Sequence, residues 1–253
     1  MDIQVTRKDG VLAIGFNRPA KRNALTAAMY GAMANALAEA EADATVRVVL
    51  FHGSDEVFTA GNDLEDFLQR PPHGEDAPVF RFLTAVAGSR KPLVAAVNGP
   101  AVGLGTTLLL HCDLVYAADT ARFSLPFTQL GLVPEFGSSY LLPLIAGYQR
   151  AAELLLLGEP FDAATAQAAG FVTRVLPATE TLAAAWTAAG KLARLPRKSI
   201  ETTRALLKSA HREAIVQQLR TEGDHFRVML GEPAAREALQ AFLDKRKPDF
   251  TGK

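Results

Sequence analysis

Apolar and polar positions alternate through IQVTRKDGVLAIGF on both sides of Lys8-Asp9-Gly10, which predicts two antiparallel strands joined by a tight turn. Thr26 can cap an alanine-rich helix running to about Ala44, with Met29, Met33 and Leu37 returning on one apolar face. VRVVLFHG (46–53) reads as a buried strand. The pattern then fades: a turn at Gly61-Asn62-Asp63, a short helix over 64–69, and RPPHGED (70–76) as a surface loop. A helix near 79–89 leads to a strand at 93–99, the glycine-punctuated turn GPAVGLG, a helical TTLLLHC and a strand at 113–118. A last strand is expected at 171–176.

Strands alternating with helices predict an α/β core. Beyond Thr179 nearly everything reads as helix, broken at Pro196 and near Gly231. One domain is expected, with a core over 1–195 and a C-terminal helical region over 196–253. Such helices cannot bury both faces on one sheet, so they should pack on another subunit or cover the site.

Composition narrows the function. The 253 residues are 49% apolar and 21% charged, within the range of ordinary globular proteins. Lys plus Arg (27) equals Asp plus Glu (27), so no global field favours nucleic acid or an anionic membrane. The single Cys112 permits no internal disulfide, and no Cys/His cluster has zinc-ligand spacing. There is no apolar run long enough for a membrane span, no signal-peptide pattern at the start, and no retention signal in the final TGK. A cytoplasmic location is the expectation.

Two segments share an unusual design: FTAGNDL (58–64) and NGPAVGLG (98–105) each carry a strand into a small-residue turn and then a helix. Such a turn leaves backbone N–H groups unpaired. Two of them together could aim two donors at one oxygen, as in an oxyanion hole. The alternative, that each turn only lets a helix pack closely on a strand, stays open on these residues alone.

NRPAKRNAL (17–25), FTAGNDL, NGPAVGLG, Cys112-Asp113 and FLDKRKP (242–248) occur in an order and spacing that resemble the crotonase (enoyl-CoA hydratase/isomerase) superfamily across nearly the whole chain. The resemblance implies a spiral of ββα units with a C-terminal helical region, trimers or dimers of trimers, and acyl-CoA thioesters as substrates. CoA would be the substrate's handle, with no separate cofactor and no metal. It also implies oxyanion donors at the Ala60 and Leu104 N–H groups. Hydratases of this family carry two glutamates at positions that match Thr107 and Phe127, and both are absent here.

Water addition needs one group to activate water and another to protonate C2, whereas moving a double bond needs one carboxylate that takes a proton at C2 and returns it at C4. LGLVPEFGSSY (130–140) resembles the segment carrying the catalytic glutamate of peroxisomal-type Δ3,Δ2-enoyl-CoA isomerases, which makes Glu135 that carboxylate. The acyl-CoA-binding extension frequent in that subgroup is not read within these 253 residues. By local rules Pro134-Glu135 is also an ordinary helix start. Apolar neighbours raise the pKa of Glu135 and a helix N-terminus lowers it, so its net direction is open. Hydratase or related chemistry through Glu135 alone, and a non-catalytic acyl-CoA-binding protein, are the alternative functions.

Further candidates for substrate contact are Lys21, Arg22 and Ala24 in the loop that runs along CoA in this family, Leu64 and Gly103 beside the donor turns, and Lys245 in the basic tail Lys245-Arg246-Lys247. Phe67, Leu68, Phe80, Phe127 and Phe136 are candidates to line an acyl tunnel, and Phe136 stands where a small residue is expected. Asn62 either faces the ligand or Glu135, or serves a turn requiring positive φ. Asp63 could orient the ligand and is otherwise the cap of the helix that it starts. The histidines carry no assigned chemistry, and Cys112 is read as core.

Overall fold

The structure, a computed structural model, describes residues 1–69, 74 and 76–252. The expected loop at 70–76 falls largely outside these residues, as does the side chain of Leu68.

The hairpin forms as expected. Strands β1 (Ile3–Lys8) and β2 (Val11–Phe16) pair antiparallel around Asp9 and Gly10, both at positive φ (51° and 81°). Two positive φ angles give a turn whose twist matches that of the strands it joins. Helix α1 (Ala27–Ala42) starts where Thr26 Oγ1 accepts the Met29 N–H at 3.3 Å, and it buries Met29, Met33 and Leu37. Then come β3 (Val48–His52), α2 (Leu64–Gln69), α3 (Pro78–Gly88), β4 (Leu93–Val97), β5 (Pro100–Val102) and the short α4 (Leu104–Thr107). A 3-10 turn, Leu108–His111, leads to β6 (Leu114–Ala118) and β7 (Arg122–Ser124).

Helices α5 (Ser138–Ala146) and α6 (Tyr148–Ala152) follow, then β8 (Phe161–Asp162), α7 (Ala163–Ala168) and β9 (Arg174–Leu176). The chain ends in α8 (Ala178–Arg194), α9 (Arg197–Ser209), α10 (Arg212–Leu230) and α11 (Pro233–Leu243).

Among the described residues the main sheet has the order β1-β2-β3-β4-β6-β9, parallel from β2 onward, and β5-β7-β8 form a second small sheet. Parallel strands must be covered on both faces, hence the unbroken apolar runs in β2, β3 and β4. One face of the main sheet carries the core that includes Leu12, Ile14, Phe51 and Phe82. The other is closed by Ala185, Ala189 and Ala193 of α8 against Val11, Leu50 and Val94. The alanines let the helix backbone approach the strands closely.

Four expectations need correction. The segment 99–105 is not only a turn, since it contains β5. The second sheet was not foreseen, because strands of two or three residues carry too little period. The helical region breaks a third time, between Ser209 and Arg212. Finally, the helix after Pro134 starts at Ser138: Phe136 (φ 63°) and Gly137 (φ 70°) are left-handed, which no α-helix accommodates.

The helical region divides its work. Helix α8 covers the sheet, α10 reaches the cavity described below, and Leu206 and Leu207 of α9 remain exposed. Among the described residues no helix is long and apolar enough to cross a membrane.

Candidate active site

The two small-residue turns meet. Phe58 and Thr59 both donate their N–H to Pro100 O (3.1 and 3.0 Å), and Val102 N–H donates to Thr59 O (3.0 Å). The approach is close enough that a Cβ on Gly61, itself at φ 84°, would lie 2.8 Å from Val102 O. Only glycine fits there on both counts.

Which donors remain free differs from the expectation. The Ala60 N–H is spent on Arg22 O at 3.0 Å. The Gly61 N–H goes to Thr59 Oγ1 at 3.1 Å. Among the described residues no acceptor takes the N–H of Asn62 or of Leu104. Leu104 is the first residue of α4, and a first-turn N–H has no intrahelical partner. The available pair is therefore Asn62 and Leu104, and Ala60 is corrected to Asn62. The displacement by two residues follows from the loop at 18–24, whose backbone folds against Ala60.

Asn62 and Glu135 lie on the wall of one cavity of about 430 Å³. Apart from Arg227 of α10, its remaining walls are apolar: Phe67, Val79, Phe80 and Leu83 on one side, Phe136, Leu219, Phe226 and Leu230 on the other. Phe67 and Phe226 meet edge to face at 5.9 Å, closing the space between α2 and α10.

Glu135 sits in the irregular stretch before α5. Its Oε1 accepts a hydrogen bond from Thr107 Oγ1 at 2.5 Å, from the very position that carries no acid. Burial in apolar surroundings raises its pKa to about 8; the Thr107 bond opposes this and the charge of Glu222 adds to it. The question left open by the sequence is thus answered upward, because Glu135 stands outside the helix.

The loop bearing Glu135 is fixed from two directions. His111 Nε2 lies 2.7 Å from Phe136 O, and the two rings stack at 4.1 Å. Burial pushes the imidazole down to about 3, so it is neutral, and contact with a carbonyl assigns the proton to Nε2. From α10, Glu222 accepts the N–H of Gly137 (2.5 Å) and of Ser139 (2.9 Å) together with the Ser139 hydroxyl. Neither residue was singled out from sequence. Glu222 had a readable signal, since it shares one helix face with Leu219 and Phe226 and is thus an acid in an apolar stripe.

The other candidates divide. Asn62 does not adopt positive φ; Gly61 does. Its Oδ1 accepts from the buried Tyr30 hydroxyl, which leaves the amide hydrogens for the cavity side. Asp63 caps α2 through Oδ1 and the Asp66 N–H (3.1 Å) while Oδ2 binds Arg18 at 2.6 Å. Burial alone would raise its pKa, but Arg18 and the Asp66 N–H more than offset that and hold it below the usual value. Phe136 lines the cavity and is 1% exposed. Gly103, at φ 54°, turns the chain into α4.

Phe127 is not brought to the cavity. It is buried in the core, just before the 3-10 segment Thr128–Leu130, and is not among the residues that line the cavity. Leu64 begins α2 without lining the cavity, and Lys21, Arg22 and Lys245 are exposed, Lys21 pairing with Glu65 at 3.4 Å. Ala24 is half-buried. Among the described residues no group of three or more His, Cys, Asp or Glu could hold a metal ion.

These features have relatives. The family model described as enoyl-CoA hydratase/isomerase matches residues 6–253. Enoyl-CoA delta isomerase 2 of Rattus norvegicus is 40% identical over 219 residues, which are 84% of this chain and 56% of the rat protein, so the chain spans little more than half of that relative. The 2,3-dehydroadipyl-CoA hydratase of Escherichia coli is 35% identical over 253 residues, all of this chain and 99% of that one. A crystal structure of an enoyl-CoA hydratase/isomerase from Pseudoalteromonas atlantica superposes with a TM-score of 0.95 at 40% identity, covering 99% of this chain and all of the other. In sequence, in its α/β fold with C-terminal helices, and in its paired turns, the chain belongs to the enoyl-CoA hydratase/isomerase family.

Proposed function

We propose that this protein converts 3-enoyl-CoA thioesters to trans-2-enoyl-CoA. The observation that carries the reading is the state of Glu135: a cavity carboxylate with a pKa of about 8, held by Thr107, with no acid at 107 or 127 to share its work.

The thioester oxygen docks against the Asn62 and Leu104 N–H groups. Ionised Glu135 removes a proton from C2, and the electron pair of that C–H bond delocalises onto the oxygen as a dienolate. The protonated Glu135 then delivers the proton at C4, leaving the double bond between C2 and C3. One proton leaves and one returns, and no redox partner is required. A base whose pKa lies near working pH is ionised in a useful fraction and still returns its proton readily. The apolar walls exclude water, which protects the dienolate.

Lys21, Arg22, Ala24 and Lys245 are proposed to hold the CoA portion, with Lys245 reaching across to a neighbouring subunit of a homotrimer or dimer of trimers. CoA serves as the handle and no further cofactor enters the proposed steps. The test is Glu135→Gln against 3-hexenoyl-CoA. Loss of at least about a hundredfold in kcat supports the base role, and an unchanged rate refutes it.

A hydratase reading is favoured by one observation, the full-length likeness to the E. coli hydratase. Incubation with crotonyl-CoA separates the two: efficient loss of conjugated thioester absorbance would displace the isomerase reading. Acyl-CoA binding with neither reaction would return the protein to the non-catalytic reading.

A further inference from the structure

Glu222 lies 85 positions from Gly137 in sequence, and in the fold it bridges two elements. It projects from α10, whose Leu219, Phe226 and Leu230 form a wall of the cavity. It is 4% exposed, and both its oxygens end at the start of α5, on Gly137 just before the helix and on Ser139 in its first turn. Gln218 adds a bond from Nε2 to Ser139 Oγ at 2.8 Å. The segment so gripped begins two residues after Glu135.

A carboxylate is costly to bury unless its oxygens are satisfied. A helix is ordinarily capped by a serine or aspartate at the N-cap itself, but Gly137 at φ 70° cannot take that role without strain, so the α5 start is satisfied from α10 instead. What a local cap cannot do is tie the cavity wall to the segment that aims the base.

We infer that Glu222 is a positioning residue: it latches α10 to the 135–139 segment, so that one contact seats the acyl-chain wall and sets the aim of Glu135. The inference rests on Glu135 being the base. The charged and titratable groups around Glu135 are Tyr30 from α1, neutral His111 from the turn after α4, and Glu222 and Arg227 from α10. Of the anionic groups among them Glu222 raises the pKa of Glu135, and burial raises its own.

The test compares wild type, Glu222→Gln and Ser139→Ala in the intact protein. Amide exchange at Gly137 and Ser139 reads the latch, and a ¹³C-labelled Glu135 carboxyl reads coupling to the base without turnover. In Glu222→Gln a side-chain amide faces the Gly137 N–H, so exchange should quicken roughly tenfold or more. The Glu135 midpoint should fall from about 8, and with 3-hexenoyl-CoA kcat should drop more than KM changes. Ser139→Ala removes the hydroxyl's bonds to Glu222 and from Gln218, keeps both backbone N–H contacts, and should show the same signs, smaller. Faster exchange with an unmoved Glu135 midpoint in both variants would make Glu222 a cap and overturn the inference. An inactive wild type with a shifted midpoint would fail the isomerase reading while upholding the latch.

Discussion

Thr107 Oγ1 donates to Glu135 Oε1 across 2.5 Å, joining the end of α4 to the segment before α5. The side chain at the position matched to the first acid of the hydratases instead holds the proposed base. Thr107→Val keeps the shape and removes the donor. A lost bond to a charged group corresponds to about 1.5–3 kcal/mol, so kcat/KM should fall about ten- to a hundredfold. The bond lowers the Glu135 pKa, so the acid limb of the rate profile should also move to higher pH. A pH series on the variant checks both.

The raised pKa has a consequence for stability. Glu135 is near its usual 4.5 when unfolded and about 8 when folded, so between these values the native state binds more protons than the unfolded one. Its contribution is fully present below 4.5 and is lost as pH rises through 8. Wild-type activity should therefore climb through pH 8 while this part of its stability declines. In Glu135→Gln the decline over the same window should flatten, as denaturant midpoints measured across it would show.

How much of this was legible in sequence depended on where each partner sits. The hairpin, α1 and the parallel strands are local patterns, and period and turn residues specify them. Glu135 could be found because an acid in an apolar run is conspicuous and because its segment resembles a known one. One of the two donors was read two residues out of place, at Ala60 instead of Asn62, since the loss of the Ala60 N–H to Arg22 is a contact between loops 38 positions apart. Glu222 and His111 act through contacts of 85 and 25 positions, and nothing in their neighbourhoods names the partner. Position 127 failed for another reason: a phenylalanine suits a tunnel or a core equally well, and only tertiary packing decides.

Gly223 sits mid-helix in α10 with ordinary φ, so no turn explains it, although glycine there costs roughly 1 kcal/mol relative to alanine. It lines the cavity, where an added Cβ would lie 3.7 Å from the Phe80 ring. A Cβ alone fits, while a branched side chain projects into the acyl space. Gly223→Ala should stabilise α10 with little change in activity. Gly223→Val should retain short 3-enoyl substrates and lose kcat/KM on long ones, about tenfold or more for a chain that meets it. A series of acyl chain lengths measures this.

The helical region is held to the sheet by an ion pair between a buried arginine and a half-buried aspartate. Arg204 of α9, 7% exposed, donates from Nε to Asp113 Oδ2 at 2.7 Å, and the same oxygen accepts the Leu93 N–H at 2.7 Å. Arg204 also reaches Ser89 O, and Lys208 reaches the carbonyl O of His111 at 2.8 Å, the residue whose ring contacts the segment bearing Glu135. Replacing a buried pair by apolar side chains can be neutral, but removing one partner strands the other charge. Asp113→Ala should therefore cost about 3–5 kcal/mol by denaturant unfolding, and Arg204→Met combined with it should recover part of that loss. Because Lys208 and His111 shift with α9, the single variant should also lower kcat at temperatures where it remains folded. A double-mutant cycle read in both stability and rate tests whether this anchor reaches the site, and strictly additive losses would show that it does not.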